Sequence, residues 1–270
     1  MTTRHYHNHY HFSYPTSFRR HFVSLILAIS LIVLILLFTI HLVSPQRGIN
    51  LDQISVLSIL LATSNTLFRL TIAYLLSIII SIPIVLVITK SEKLEKILLP
   101  IVDIIQSVPV LAFFPVVVLA FVKVNFLDGA AIFILFISMI WNIVFSMIGG
   151  IKTIPQDVRD AAKIFGAKGF KKIIYVTLPS IFPSIVTGSF LAWGQGWNIS
   201  IVAEALHAFI PNGNKSSDLF GLGSLLVNSF AESRNSIFFA ALVAMIIVIT
   251  IFNFFIWQKL LKLAERYKFD

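Results

Sequence analysis

Asp160-Ala161-Ala162-Lys163-Ile164-Phe165-Gly166, running on to Leu178-Pro179, is the one long charged interruption in an otherwise apolar sequence. Thr153 and Gln156 stand at the spacing of an N-terminal capping box, with Pro155 early in the first turn, where a missing N–H costs nothing. A helix is predicted to start there. Ile154, Val158, Ala161, Ala162 and Phe165 fall at i, i+4, i+7, i+8 and i+11 and predict one apolar stripe, with Asp157, Arg159, Asp160 and Lys163 pointing elsewhere. Gly166 is placed to end that helix in the left-handed conformation. A second run, Phe170 to Thr177, carries Lys171 and Lys172 and is expected to stop before Pro179, because the residue preceding proline is pushed out of the α region. The prediction is helix, glycine turn, helix. Spacing alone also fits an amphipathic loop lying on a membrane surface with its lysines near lipid phosphates.

The surroundings of this segment decide the class. With 57% hydrophobic and only 12% charged residues, the chain falls far below the roughly 25% charged fraction of soluble domains. It reads as an all-α membrane protein. Six stretches are long and apolar enough to cross about 30 Å of hydrocarbon, which takes about 20 helical residues: 22–44, 66–89, 97–122, 129–151, 180–207 and 236–258. Arg69 near the start of the second, Asp103 inside the third and Glu204 near the end of the fifth are their internal charges. A seventh apolar run, Leu219 to Phe230, is too short to span and contains Gly221 and Gly223, so it is expected to be re-entrant or surface-lying.

A net charge of +9 could signal nucleic acid, but the basic residues are not gathered into a patch with interleaved aromatics. They alternate by loop. Sixteen of the twenty-one lie in the N-terminal tail, in the loop holding Lys90, Lys93 and Lys96, in the 152–172 loop and in the C-terminal tail, whereas Arg47, Lys123, Lys215 and Arg234 lie on the opposite side. The positive-inside rule then places both termini and the Asp160 loop in the cytoplasm. The expected organisation is a cytoplasmic tail over 1–21, an uncleaved first anchor helix over 22–44, a transmembrane core over 64–262 with the 152–179 loop inside it, and a cytoplasmic tail over 263–270. His5, His7, His9 and His11 alternate in the first tail; an extended chain would put them on one face, where a divalent metal could bind, but the pattern is read as a flexible, weakly basic tail at the membrane surface.

The third and fifth spans carry polar groups that lipid does not favour. Pro100, Asp103, Gln106, Ser107, Pro109 and Pro115 lie in the third, where each interior proline removes a backbone hydrogen bond. Asp103 would cost about 2.5–3.5 kcal/mol at a bilayer centre, so it is read either as an interfacial carboxylate paired with Lys96 or a neighbour, or as part of a path. The fifth offers Gly188, Gly194 and Gly196 for close helix contact, and Gln195, Asn198 and Glu204 as groups needing polar partners. Glu204 reads either as a rim carboxylate bonded to a backbone amide or to Arg234, or as a translocation residue. No Gly-rich phosphate loop, HExxH or GxSxG occurs, and the absence of cysteine removes thiolate chemistry and disulfides. No catalytic or metal-binding role is expected.

Asp160, Ala161, Ala162 and Gly166, followed by Val176, Leu178 and Pro179, resemble the EAA loop of binding-protein-dependent ABC-transporter permeases, with Asp160 and Val176 standing where that family usually has Glu and Ile. Asp103 to Pro109 with Ala112 and Pro115, Trp197-Asn198, Ile201 to Glu204 and Gly221-Leu222-Gly223 resemble its nitrate/sulfonate/taurine branch; together the matches run from about Ser64 to the end. The resemblance implies a six-helix importer permease (MetI-like) fold with a cytoplasmic coupling helix between helices four and five. It implies that Asp160, Ala161, Ala162, Phe165, Gly166, Leu178 and Pro179 meet an ATPase subunit, and that Gln106, Trp197, Asn198 and Glu204 line a translocation path. The implied partners are two ABC ATPase subunits holding ATP and Mg, a second permease copy, an extracytoplasmic solute-binding protein and the bilayer, with no nucleic acid. A secondary transporter would instead need coupling carboxylates near the midplane, for which Asp103 and Glu204 are the candidates, and a non-transport membrane scaffold would also show spans and a basic loop.

Overall fold

The computed structural model describes residues 35–41, 54–210 and 213–268. The histidine-bearing tail, most of the 22–44 anchor and Arg47 lie outside the described residues. Nine helices follow the short helical stretch at 35–41: α1 (Val56–Ile88), α2 (Glu92–Ser107), α3 (Phe114–Lys123), α4 (Leu127–Lys152), α5 (Gln156–Ile164), α6 (Gly169–Ser180), α7 (Phe182–Glu204), α8 (Leu222–Ala231) and α9 (Asn235–Glu265). No strand occurs among the described residues, as expected for an all-α chain.

α1, α4 and α9 are each long and apolar enough to cross a membrane, and α6 with α7 forms a bent fourth candidate. α1 begins ten residues before the predicted span, since Ser55 and Ser58 cap it reciprocally and Thr63 Oγ1 returns its proton to the Ile59 carbonyl at 2.7 Å. Hydroxyls that bond their own helix let polar residues continue a helix that composition would end.

The predicted third span over 97–122 is not one helix. Val108, ahead of Pro109, is extended with ψ of 125°, a 3₁₀ turn covers Val110–Ala112, and α3 resumes at Phe114. Proline at 109 both lacks an N–H and excludes the α conformation at 108. At 1.5 Å per residue α2 and α3 reach about 24 and 15 Å, each short of about 30 Å of hydrocarbon.

α4 is the central helix, packed chiefly on α7 and α1. Small residues permit the approach: a Cβ on Gly188 would meet Ser146 and the Asn142 carbonyl, and one on Gly196 would meet Met139 and Leu70. Trp193 stacks on Phe252 with ring centroids 5.1 Å apart and meets Tyr74 edge-on at 5.6 Å, joining α7 to α9 and α1. The Leu219–Phe230 run does not lie on a surface. As α8 it is wedged among α7, α9 and α1, with Leu222, Leu225, Leu226, Asn228 and Ser229 buried.

Candidate functional site

The 152–180 segment is built outward from the end of α4. Thr153 caps α4, donating from Oγ1 to the Gly150 carbonyl at 2.9 Å, so it is not available for the predicted capping box. α5 starts after Pro155 without a side-chain cap, and Gln156 Nε2 donates instead to both Asp160 oxygens at 3.2 Å. Arg159 holds the two helices together by donating to the Ile151 carbonyl at 3.0 Å and the Ile154 carbonyl at 3.2 Å. Lys163 Nζ lies 2.7 Å from Asp160; that hydrogen bond, and then the one from Gln156, hold the Asp160 carboxyl below the usual carboxylate range.

Gly166 ends α5 as predicted, with φ of +67°. Ala167 N–H donates to the Ala162 carbonyl at 2.9 Å and Gly166 N–H to Lys163 at 3.0 Å, the pairing of a Schellman turn. The predicted apolar stripe, however, divides. Ile154 and Ala162 are buried inside the subunit, Ala162 being 6% exposed, whereas Phe165 is 87% exposed. Ile164, Phe170 and Tyr175 are exposed beside it in sequence, so the two short helices present an apolar surface that the subunit itself does not cover. Nor does the second helix stop before Pro179. Ile173–Thr177 widens into π geometry, Leu178 and Pro179 stay helical, and the chain turns by 67° at Ile181 into α7. The π turn accommodates the carbonyls that the missing Pro179 N–H leaves behind.

α7 has two unlike sides. Thr187, Leu191, Gly194, Gln195 and Asn198 form an exposed stripe at i, i+4, i+7, i+8 and i+11, while Trp193 and Trp197 point into the core. Asn198 therefore stands on the open face and Trp197, at 4% exposure, does not. Gln106 is exposed on α2, where Nε2 donates to Asp103 Oδ1 at 3.0 Å; of the two partners expected for Asp103, Lys96 or a neighbour, the structure shows the neighbour. α2 and α7 share no extensive contact, so the structure does not gather Gln106 and Asn198 into one site within a single subunit.

Glu204 is buried in a charged cluster that the sequence reading did not assemble. Arg69, with no exposure, donates through Nη1 to Glu204 Oε1 at 2.8 Å and to the Phe220 carbonyl at 3.2 Å, and through Nε to Asp128 Oδ1 at 2.6 Å. Thr66 donates to Glu204 Oε1 at 2.8 Å and accepts from Leu222 N–H at 2.9 Å, and Gly223 N–H donates to Glu204 Oε2 at 2.8 Å. The expected backbone amide is present, but the cation is Arg69 rather than Arg234. Glu204 thus ties α7 to α1 and the start of α8, and Arg69 extends the cluster to α4 through Asp128. Close by in sequence, buried Asp218 accepts from His207 N–H, and from Asn228 Nδ2, each at 2.8 Å. A Cβ on Gly221 would overlap the Glu204 carboxylate, and one on Gly223 would strike the Ser200 carbonyl, which is why glycines flank Leu222.

The sequence profile of the family described as "Binding-protein-dependent transport system inner membrane component" matches residues 80–262. The chain is similar to the nitrate import permease protein NrtB of Leptolyngbya laminosa, 30% identical over 66% of this chain and 61% of that one. It is also similar to the bicarbonate transport system permease protein CmpB of Synechococcus elongatus, 26% identical over 63% of this chain and 57% of that one. Against the taurine transport system permease protein TauC of Escherichia coli it is 27% identical over 53% of this chain and 51% of that one. The chain thus spans about half to three-fifths of the length of these relatives. A match over most of the chain, extending from within α1 through the 152–180 segment to α9, makes this protein a member of the family of binding-protein-dependent transport system inner membrane components.

Proposed function

We propose that the chain is the membrane-spanning subunit of an ATP-driven ABC importer for a small anion, working by alternating access. The observation that carries this reading is the exposed surface of Ile164, Phe165, Phe170 and Tyr175 on the helix, glycine turn, helix unit. Apolar side chains at this density on a loop are stable when a partner covers them. The partner proposed is an ABC ATPase subunit, one for each of two permease copies, which holds ATP and Mg while this chain holds neither. An extracytoplasmic binding protein delivers the solute. The relatives' names speak of nitrate, bicarbonate and taurine, all of which carry an oxyanion group.

In this mechanism the docked ATPase moves α5, the Arg159 bonds carry the motion into α4, and α4 carries it into α7 through the Gly188 and Gly196 contacts. The path runs between two copies along the exposed stripe of α7, with Gln195 and Asn198 as polar donors and Gln106 of α2 contributing beyond the 108–113 break. Six crossings result when the 22–44 segment is counted and α2 and α3 form one broken crossing, with both termini and the 152–179 loop on the cytoplasmic side.

The test is purification in mild detergent from native membranes with identification of co-purifying chains, for the native protein and for Phe165→Asp. An ATPase that accompanies the native chain and is lost with Phe165→Asp supports the reading. Absence of any ATPase, or its full retention by the variant, overturns it.

A further inference from the structure

At the end of the bundle that carries the 152–180 segment, α4, the α6–α7 bend and the last described residues enclose a cleft of about 420 Å³. That volume falls in the range of small-molecule pockets, about 300–1,000 Å³. Its polar lining comes from Ser146, Thr153, Ser180, Ser184, Thr187, Tyr267 and Lys268, of which Tyr267 has interactions of its own. Thr153 and Thr187 spend their protons on the backbone carbonyls of Gly150 and Pro183. The hydroxyls of Ser146, Ser180 and Ser184 have no hydrogen-bond partner among the described residues, and Lys268 has no ion-pair partner among them. No carboxylate lines the cleft among the described residues. Gly149 has nothing within 4 Å of where a Cβ would stand, so the space beside it is open, and Gly150 lets Ser184 approach to a distance that a side chain would forbid.

Three free hydroxyl donors and one ammonium, with no acid among them, make a site that favours negative charge. Two carbonyls at this end of α4 each have a donor: Gly150 accepts from Thr153, and Ile151 accepts from Arg159. The cleft also adjoins the exposed stripe of α7, since Ser184 and Thr187 precede Leu191, Gln195 and Asn198 at three- and four-residue steps, and Ser180 lies just before the bend.

We infer that this cleft binds a small oxyanion, held by the hydroxyls of Ser146, Ser180 and Ser184 and by the Lys268 ammonium, and that it is the last station of the cargo on the α7 side of the path. The occupant's role as cargo rests on the transport reading above. A lipid phosphate shares the same chemistry, so the test must separate the two sources.

The full chain in lipid-free detergent is titrated with nitrate, against chloride at equal ionic strength, and its thermal unfolding midpoint is followed. A saturable rise with nitrate beyond that with chloride is expected. Ser180→Ala with Ser184→Ala, and separately Lys268→Gln, should weaken the apparent affinity roughly tenfold, the loss of about one charge-assisted hydrogen bond. Both variants should keep the native midpoint without anion, and Lys262→Gln should behave as the native chain. No saturable rise, or an equal rise in every variant, overturns the site. In nanodiscs, loss of nitrate binding when phosphatidylcholine is replaced by phosphatidylglycerol would assign the cleft to a headgroup and overturn its assignment to cargo. ATPase co-purification without nitrate binding removes this site alone; nitrate binding without an ATPase partner removes the transport reading and leaves the cleft standing.

Discussion

Arg69 and Glu204 lie 135 positions apart in the chain and close a 2.8 Å ion pair in which the guanidinium has no exposure at all. Asp128 is the second counter-ion of the same side chain. Removing Arg69 would leave the buried Glu204 carboxylate without its cation, and breaking a buried pair in this way typically costs about 3–5 kcal/mol. Arg69→Met is therefore expected to lower the thermal midpoint of the purified chain strongly. Arg69→Met with Glu204→Gln should recover part of the loss, because the amide still accepts from Thr66 and Gly223 while one buried charge is gone. An Arg69→Met midpoint equal to the native one would refute the view that this pair fastens α1 to α7.

Two glycines predict opposite responses to the same substitution. Gly221→Ala drives a methyl group into the Glu204 carboxylate, an overpacking that costs typically about 1–3 kcal/mol and displaces the anchor of α8. Gly194→Ala meets nothing within 4 Å and replaces the poorest ordinary helix former with the best, worth up to about 1 kcal/mol in a helix interior. Thermal midpoints of the two variants in the same detergent check the contrast. Equal shifts would mean that the Glu204–Gly221 packing is not as tight as described.

How much of this the sequence discloses depends on how far apart the partners lie. The Gly166 turn is legible because a left-handed residue at a helix end is a local event, read from its neighbours within five positions. The break at Pro109 has a local signal too, but a search for long uncharged windows joins the apolar residues on either side and hides it. Arg69, Asp128 and Glu204 each stand out as charges near apolar spans, yet nothing in a single sequence pairs residues on three different helices. Phe165 shows a further limit. On a helix of nine residues a buried face and a partner-facing face look alike by spacing, and only the burial of Ala162 separates them.

The Asp160 carboxyl is held below the ordinary range by Lys163 first and Gln156 second. A carboxyl with a depressed folded-state pKa adds stability that is present above its unfolded value and is lost as pH falls through the folded one. The Asp160–Lys163 contact should accordingly persist through neutral pH and disappear on acidification below the usual Asp value of about 3.9. In Lys163→Ala the Asp160 titration, followed by carboxyl carbon NMR, is expected to move upward toward that value. Because the pair is solvent-exposed, added salt should shrink the difference. An unchanged titration in Lys163→Ala would dismiss the lysine as its cause.

Ala162 and Phe165 lie three residues apart on one short helix and face opposite surroundings, which separates folding from docking. Ala162→Asp inserts a charge into a position that is only 6% exposed, so it should destabilise the isolated chain. Phe165→Asp replaces a side chain that is 87% exposed, and in the isolated chain its midpoint should stay within about 0.5 kcal/mol of native, the usual span for surface changes. The same variant removes the largest exposed apolar group of α5 and its turn, and in the assembled complex it is expected to weaken ATPase retention. Loss of ATPase by Ala162→Asp alone would carry no weight, because misfolding explains it. Destabilisation of the isolated chain by Phe165→Asp would mean that this ring packs within the subunit, and the docking surface would then have to be sought on Phe170 and Tyr175.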